Sequence, residues 1–273
     1  LCLCLCLPSH WFFPSSMRED RSEKPPETRE ESAALGPVEV VFFDVGGTLL
    51  RVETSVGAVY AEVAAEHGVR VDPKALDERF RQAWKRSIAR SRARRFRCSD
   101  AILREEWLDI VTETFGREVR DEEIRAVFEA LYERFVSGDA WKVVPGARET
   151  LRHLRERGLR LGVISNWDSR LPQTLAELGL DEFFEVLVIS YEVGYEKPHE
   201  RIFAEALRRT GASPEQVLHV GDSYEADIIP ARSKGWRTLW IATGGASDGE
   251  VCVPDFSTLT PAHWDRLLGH EAR

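Results

Sequence analysis

VEVVFFDVGGTL, residues 38–49, carries an apolar run into a single aspartate and then into two glycines. An apolar run bounded by turn residues suits a strand buried on both faces of a parallel sheet. Gly46 and Gly47 mark a tight turn after it. The same texture returns downstream of Trp141, where RLGVIS (160–165), EVLVIS (185–190), QVLHVG (216–221) and WRTLWIA (236–242) read as strands. Helical patterns separate them: Pro145 to about Arg157, closed by Gly158, then 171–179, 198–210, and EADIIPARSKG, broken or kinked at Pro230. Five apolar strands alternating with helices predict an α/β fold, a doubly wound parallel sheet.

Between the first strand and the others lies a stretch without strand character. Ala58, Val59, Val63 and Ala64 have helical spacing before Gly68. Pro73 can open a second helix with Leu76, Phe80, Ala83, Trp84 and Ile88 on one face. Ser99 is a candidate N-cap for a third helix and Asp121 for a fourth. The expected organisation is therefore a core at 38–54 and 138–245, with an inserted α-helical domain at 55–137. A C-terminal extension, 246–273, carries a helix start at Thr260-Pro261.

Ligands of open α/β sheets bind beyond the carboxyl ends of the strands. Asp44, Gly46, Gly47 and Thr48 follow the first strand; Ser165 and Asn166 end the second; Lys197-Pro198 follows the third; Asp222 and Asp227 follow the fourth. Carboxylate, hydroxyl, ammonium and two more carboxylates would meet on one edge. A carboxylate can act as nucleophile. A transferring phosphoryl group needs donors and cations around its oxygens. Asp44 and Asp222 are a suitable pair for Mg²⁺, a hard ion that takes one or two carboxylates.

The ordered set DVGGT (44–48), VISN (163–166), EKP (196–198) and GDSYEAD (221–227) resembles the four motifs of the haloacid dehalogenase-like (HAD) hydrolase superfamily. The helical insertion after the first motif resembles the cap of its phosphoglycolate-phosphatase-like branch, subfamily IA. The resemblance implies that Asp44 is the nucleophile and a metal ligand, and that the Gly46 carbonyl is a second ligand. It implies that Gly47, Thr48, Ser165 and Asn166 bind the phosphoryl group, and that Lys197 holds nucleophile and phosphate in register. Asp222 and Asp227 complete the metal site, with Asp227 supporting either the metal or Lys197. The expected activity is a Mg²⁺-dependent phosphatase of small phosphorylated metabolites acting through an aspartyl-phosphate.

One position departs from the family pattern. The usual second aspartate, which protonates the leaving oxygen and activates water, is Gly46 here. Such acid–base help is commonly worth about 10²–10⁴-fold. Altered or slow catalysis and a weak or inactive phospho-ligand or protein binder are the two readings. A metal-independent dehalogenase is a third, opposed by the retained acidic pair in GDSYEAD. Glu53, at the start of the insertion, is a candidate replacement acid. Trp167 either lines the substrate pocket or packs in the core. The arginine-rich RSIARSRARRFR (86–97) is either an anionic-ligand patch or a solvated helix face.

Composition narrows the classes. Lys+Arg number 37 and Asp+Glu 46, a net charge of −9, which disfavours general nucleic-acid or anionic-membrane binding. No apolar run reaches the roughly 18 residues a transmembrane helix needs. Cys98 and Cys252 sit in no metal-binding pattern, which fits a reducing, cytoplasmic compartment. The opening LCLCLCLPSHWFFPSS precedes the single methionine, Met17, and lacks the basic start of an export signal. Residues 1–37 are expected to be a mis-assigned or disordered leader, with the natural start at Met17. A small phosphorylated substrate is the expected partner, and the chain is expected to be a monomer or homodimer.

Overall fold

The computed structural model describes residues 36–243 and 251–269. The expected leader up to residue 35, with Cys2, Cys4, Cys6 and Met17, lies outside the described residues. So do 246–250 and 270–273 of the expected extension.

Strand β1 (Val40–Phe43) is the centre of the sheet, and its four side chains are fully buried. Val41 and Phe43 face one apolar cluster and Val40 and Phe42 the other, so both faces are covered. β1 is flanked by β4 (Arg160–Ser165) and β6 (Val217–Gly221). Beyond these lie β5 (Val186–Ile189) on one side and β7 (Arg237–Ile241) on the other. All these pairs are parallel. The strand order β5-β4-β1-β6-β7 is that of a doubly wound sheet, as expected. A sixth strand, β8 (Cys252–Val253), pairs parallel with β7. Two residues are too few to show as a pattern in the sequence. After it, α10 (Pro261–Leu268) is capped by Thr260, and the Leu268 carbonyl accepts from Val38 N–H at 3.1 Å. The C-terminal segment thus belongs to the core.

The region between β1 and β4 holds the helical insertion. Helix α1 (Val56–Glu66) is capped by Ser55, and α2 (Pro73–Ala93) by Asp72 with Pro73 in its first turn. Helix α3 (Asp100–Phe115) is capped by Ser99. Helix α4 (Ile124–Arg134) corrects the expectation for Asp121: Glu123 occupies the N-cap, and its side chain pairs with Arg120 rather than capping the helix. Residues 121–123 form a turn instead, with Glu123 and Ile124 N–H both donating to Arg120 C=O. Tyr60 gathers the bundle, its ring 5.6–6.5 Å from Phe80, Trp107, Phe115 and Phe135. Such aromatic pairs add about 0.5–1.5 kcal/mol each beyond the area they bury. A short antiparallel ribbon, β2 (Leu50–Val52) with β3 (Trp141–Val143), brings the chain out to the insertion and back.

Helix α5 (Ala147–Glu156) precedes β4; α6 (Leu171–Glu177) lies between β4 and β5; α7 (Ser190–Val193) and α8 (Glu200–Thr210) follow β5. After β6 the expected helix is broken before Pro230, not at it. A π-helical turn spans Tyr224–Ile228, and α9 (Ile229–Arg232) carries Pro230 in its first turn, where a missing N–H is tolerated.

Candidate active site

Asp44 stands one residue past β1 and is completely buried. Its N–H donates to Val220 C=O at 2.9 Å, which fixes it beside the end of β6. The chain then turns sharply: Val45 C=O accepts from the N–H groups of Leu49 and Leu50 at 2.8 and 2.9 Å. Gly47 takes φ +88° in this turn, a conformation strained for any L side chain. Its N–H donates to Leu50 C=O at 2.8 Å, so this donor shapes the loop. Thr48, fully buried, places Oγ1 3.4 Å from Asp222 Oδ1 and ties the loop to the fourth motif.

From β4, Ser165 Oγ donates to Asp44 Oδ1 at 3.0 Å. Asn166 is locked to the next loop in both directions: its Nδ2 donates to Lys197 C=O at 3.0 Å, and Lys197 N–H donates to its Oδ1 at 2.5 Å. The Lys197-Pro198 peptide bond is cis. Lys197 Nζ, with no exposure, donates to Asp44 Oδ1 at 2.7 Å, Asp227 Oδ1 at 2.6 Å and Ile164 C=O at 2.9 Å. Three acceptors meet the three protons of the ammonium.

Asp227 sits on the π-helical turn. Besides Lys197 it contacts His219 Nε2 at 3.0 Å, and its Oδ2 accepts from Ser223 N–H at 3.1 Å. A Cβ on Gly221 would fall 2.3 Å from the Asp227 carboxyl carbon, so only glycine lets this carboxylate lie against β6. Burial opposes ionisation of Asp227, but Lys197 and His219 outweigh it and hold its pKa at about 2. For Asp44, burial dominates and raises the pKa, with Lys197 opposing and Asp227 adding to the rise.

Asp44 Oδ2 is buried and has no hydrogen-bond partner among the described residues. One oxygen from each of Asp44, Asp222 and Asp227 falls within 4.8 Å of the others. An orphaned carboxylate oxygen amid three carboxylates is the donor set a hard divalent cation requires. Asp227 carries three contacts, from Lys197 and His219 on Oδ1 and from Ser223 N–H on Oδ2, which leaves it less of its lone-pair capacity for a cation than Asp44 Oδ2. Gly46 offers no side-chain acid two positions after Asp44.

Two expectations resolve differently. Trp167 belongs to the core: it is 5% exposed and its ring lies 5.3 Å from that of Trp141. Glu53 is half exposed and faces Lys142 at 3.7 Å.

The arginine-rich segment is largely a solvated face, with Arg86, Arg92, Arg95 and Arg97 exposed, and it is laced with ion pairs. Arg90 and Arg94 pair with Glu106, Arg86 and Arg90 with Glu113, and Arg92 with Glu225 on the π-helical turn. Ser91 Oγ donates to Glu196, the residue before Lys197. The turn after α2 completes a backbone stitch: Glu196 N–H donates to Phe96 C=O at 2.8 Å and Cys98 N–H to Gly194 C=O at 3.0 Å. The insertion is thereby joined to the loop that carries Lys197. Sequence reading missed this because the segment's partners are glutamates up to 133 residues away. A cavity of about 140 Å³ lies under α2 and reaches Asn166 and Lys197.

Sheet and site together define a Rossmann-like α/β core that carries its chemistry on the carboxyl edge of the strands. The family model for haloacid dehalogenase-like hydrolases matches residues 38–245, and the chain belongs to that family. A Homo sapiens protein described as haloacid dehalogenase-like hydrolase domain-containing protein 3 is 37% identical over 235 residues, covering 82% of this chain and 93% of that one. Among solved structures, HAD-hydrolase YfnB of Bacillus subtilis, bound to magnesium, has a TM-score of 0.66 at 18% identity, covering 85% of this chain and 99% of that one. A 2-haloacid dehalogenase of Pseudomonas syringae pv. Tomato DC3000 has a TM-score of 0.57 at 24% identity, covering 84% and 99%. At these identities the structural likeness speaks for the fold.

Proposed function

We propose that the protein is a Mg²⁺-dependent phosphatase of small phosphomonoesters that works through an aspartyl-phosphate on Asp44. The observation that carries this reading is the buried Lys197 ammonium bridging Asp44 and Asp227 while Asp44 Oδ2 stays unpartnered. Asp44 and Asp222, with the Gly46 carbonyl, would hold the cation, which supplies charge neutralisation for the phosphoryl oxygens. The chain's own residues do the rest. Ser165 and Lys197 fix the Asp44 carboxylate, and Asn166 fixes Lys197. An Asp44 oxygen attacks phosphorus, the ester P–O bond breaks, and the leaving oxygen takes its proton from water because position 46 offers none. Water then attacks the acyl phosphate, which releases inorganic phosphate and restores the Asp44 carboxylate. The second step also lacks a side-chain base at position 46, so it is slow.

The helical insertion, 55–137, is proposed as a cap over the core segments 38–54 and 138–245. The stitch between residues 96–98 and 194–196 supports this role, because it seats the insertion beside Lys197. Paired arginines in 86–97 argue against nucleic-acid binding. Cys98 is a buried free thiol, consistent with a cytoplasmic setting. No helix among the described residues is long and apolar enough to cross a membrane.

The test is phosphate release from an aryl phosphate with and without Mg²⁺, with Asp44→Asn as the blank. Turnover that requires both Mg²⁺ and Asp44 supports the reading. Halide release from a 2-haloacid without metal supports the dehalogenase reading instead. Neither activity, together with binding of inorganic phosphate, supports the weak-binder reading.

A further inference from the structure

The cavity under α2 is where a substrate's non-phosphate body would lie, because it begins at Asn166 and Lys197 and ends on the insertion. Its far wall is apolar: Trp84, Ile88 and Phe96 come from α2 and the turn after it, opposite Pro198 and Ala226. Ile88 is 39% exposed and borders this space. An apolar cavity of about 150 Å³ accommodates a benzene ring, so 140 Å³ holds one ring-sized group.

The polar part of the wall mixes neutral groups, Ser87, Ser91, Ser223 and Asn166, with paired charges. Glu106, Glu196 and Glu225 all border the cavity, and the cations there are Lys197 and Arg92. Lys197 is committed to Asp44 and Asp227, and Arg92 to Glu225 at 2.7 Å. Arg94, behind the wall, is held by Glu106 at 2.8 Å and lies 4.0 Å from Glu196. The carboxylates are held by the same pairs, Glu106 by Arg90 and Arg94 and Glu225 by Arg92, so a second anionic group on the substrate would have to displace a carboxylate from an existing ion pair to find a cation.

The geometry points to a substrate whose only anion is its phosphate: a compact monoester carrying a neutral, apolar body of about one ring, with carboxylated and doubly phosphorylated esters excluded. Ile88 and the Arg92–Glu225 pair set this preference. The inference rests on the phosphomonoester reading above and adds the class of substrate.

The experiment compares benzyl phosphate with 2-phosphoglycolate in the full chain with Mg²⁺. In parallel, calorimetry on the same protein compares the non-hydrolysable benzylphosphonate and phosphonoacetate. The expected kcat/KM and affinity both favour the benzyl compound by at least about tenfold, the scale on which an apolar pocket discriminates. Ile88→Lys, which adds a cation to the wall, is expected to shift the ratio toward phosphoglycolate by about tenfold, and Glu225→Ala, which releases Arg92, in the same direction. Equal or better use of phosphoglycolate by the unmodified chain would overturn the proposal, as would a ratio unmoved by both substitutions. If neither ester releases phosphate in an Asp44-dependent way, the phosphatase reading fails. The phosphonate affinities then decide the binding preference independently.

Discussion

Replacing Lys197 with methionine isolates the electrostatics of the site. Methionine is unbranched and close to the lysine stem in length, so packing is nearly kept and the charge is lost. The ammonium has no solvent exposure and lies 2.7 Å and 2.6 Å from two carboxylates that are themselves fully buried. Removing one partner of a buried charge set typically costs about 3–5 kcal/mol, because the remaining charge is uncompensated. For a chain of this size, at roughly 2–4 °C per kcal/mol, the loss corresponds to a drop in Tm of roughly 6–20 °C. The sign with pH follows from Asp227. Its pKa is held at about 2, so its stabilising contribution is present above the ordinary carboxylate range and fades as pH falls toward 2. In Lys197→Met that contribution is gone at neutral pH, and the two buried carboxyls escape by protonation as pH falls. The deficit is therefore largest at pH 7 and shrinks toward pH 5. Urea unfolding at both pH values, without Mg²⁺, measures it. Adding Asp44→Asn to Lys197→Met recovers part of the loss, because one buried carboxylate remains instead of two. A deficit below about 1 kcal/mol at pH 7, set against the roughly 3–5 expected, would refute the reasoning. So would one that does not shrink with acidification.

Three further outcomes follow from the same structure. Gly221→Ala places a methyl group 2.3 Å from the Asp227 carboxyl carbon; it is expected to cost about 1–3 kcal/mol in urea unfolding and to lower turnover through a displaced Asp227–Lys197 pair. Cys98, buried with Sγ 3.1 Å from Ser190 C=O, has its thiol pKa pushed up to about 11, chiefly by burial. Iodoacetamide at pH 8 should leave it unmodified by mass spectrometry, and its contribution to stability, complete below the usual thiol range, should be lost as pH climbs toward 11. Glu53→Gln should leave turnover within about twofold, because Glu53 is half exposed beside Lys142 rather than beside Asp44; a loss approaching the 10²-fold expected of an acid–base group would restore it as the missing acid.

Most of the core was legible because burial on both faces writes a continuous apolar run, and β1 and β4 follow such runs closely. The convergence of Asp44, Ser165, Lys197, Asp222 and Asp227 was legible for a related reason: parallel strands deliver their carboxyl ends to one edge. What escaped is short or distant. β2, β3 and β8 are two or three residues long, so no alternation develops. His219 reads as a buried histidine in a strand, and only the fold reveals that its ring meets Asp227. Gly47 and Thr48 looked like phosphate binders, yet their donors serve the turn and Asp222. The arginines of 86–97 left a patch and a solvated face both open, because the pairing of Arg86, Arg90, Arg92 and Arg94 with Glu106, Glu113, Glu196 and Glu225 depends on tertiary contacts that no local window contains.

The central claim is that Asp44 takes the phosphoryl group and, with glycine at position 46, gives it up slowly. The most direct measurement is peptide mass spectrometry of enzyme quenched in acid during steady-state hydrolysis of benzyl phosphate with Mg²⁺. The account predicts a phosphoryl adduct on the peptide containing Asp44, absent in Asp44→Asn and depleted in Gly46→Asp, where a second carboxylate can activate water. Phosphate release that proceeds with no adduct on Asp44, or that survives Asp44→Asn, would contradict it.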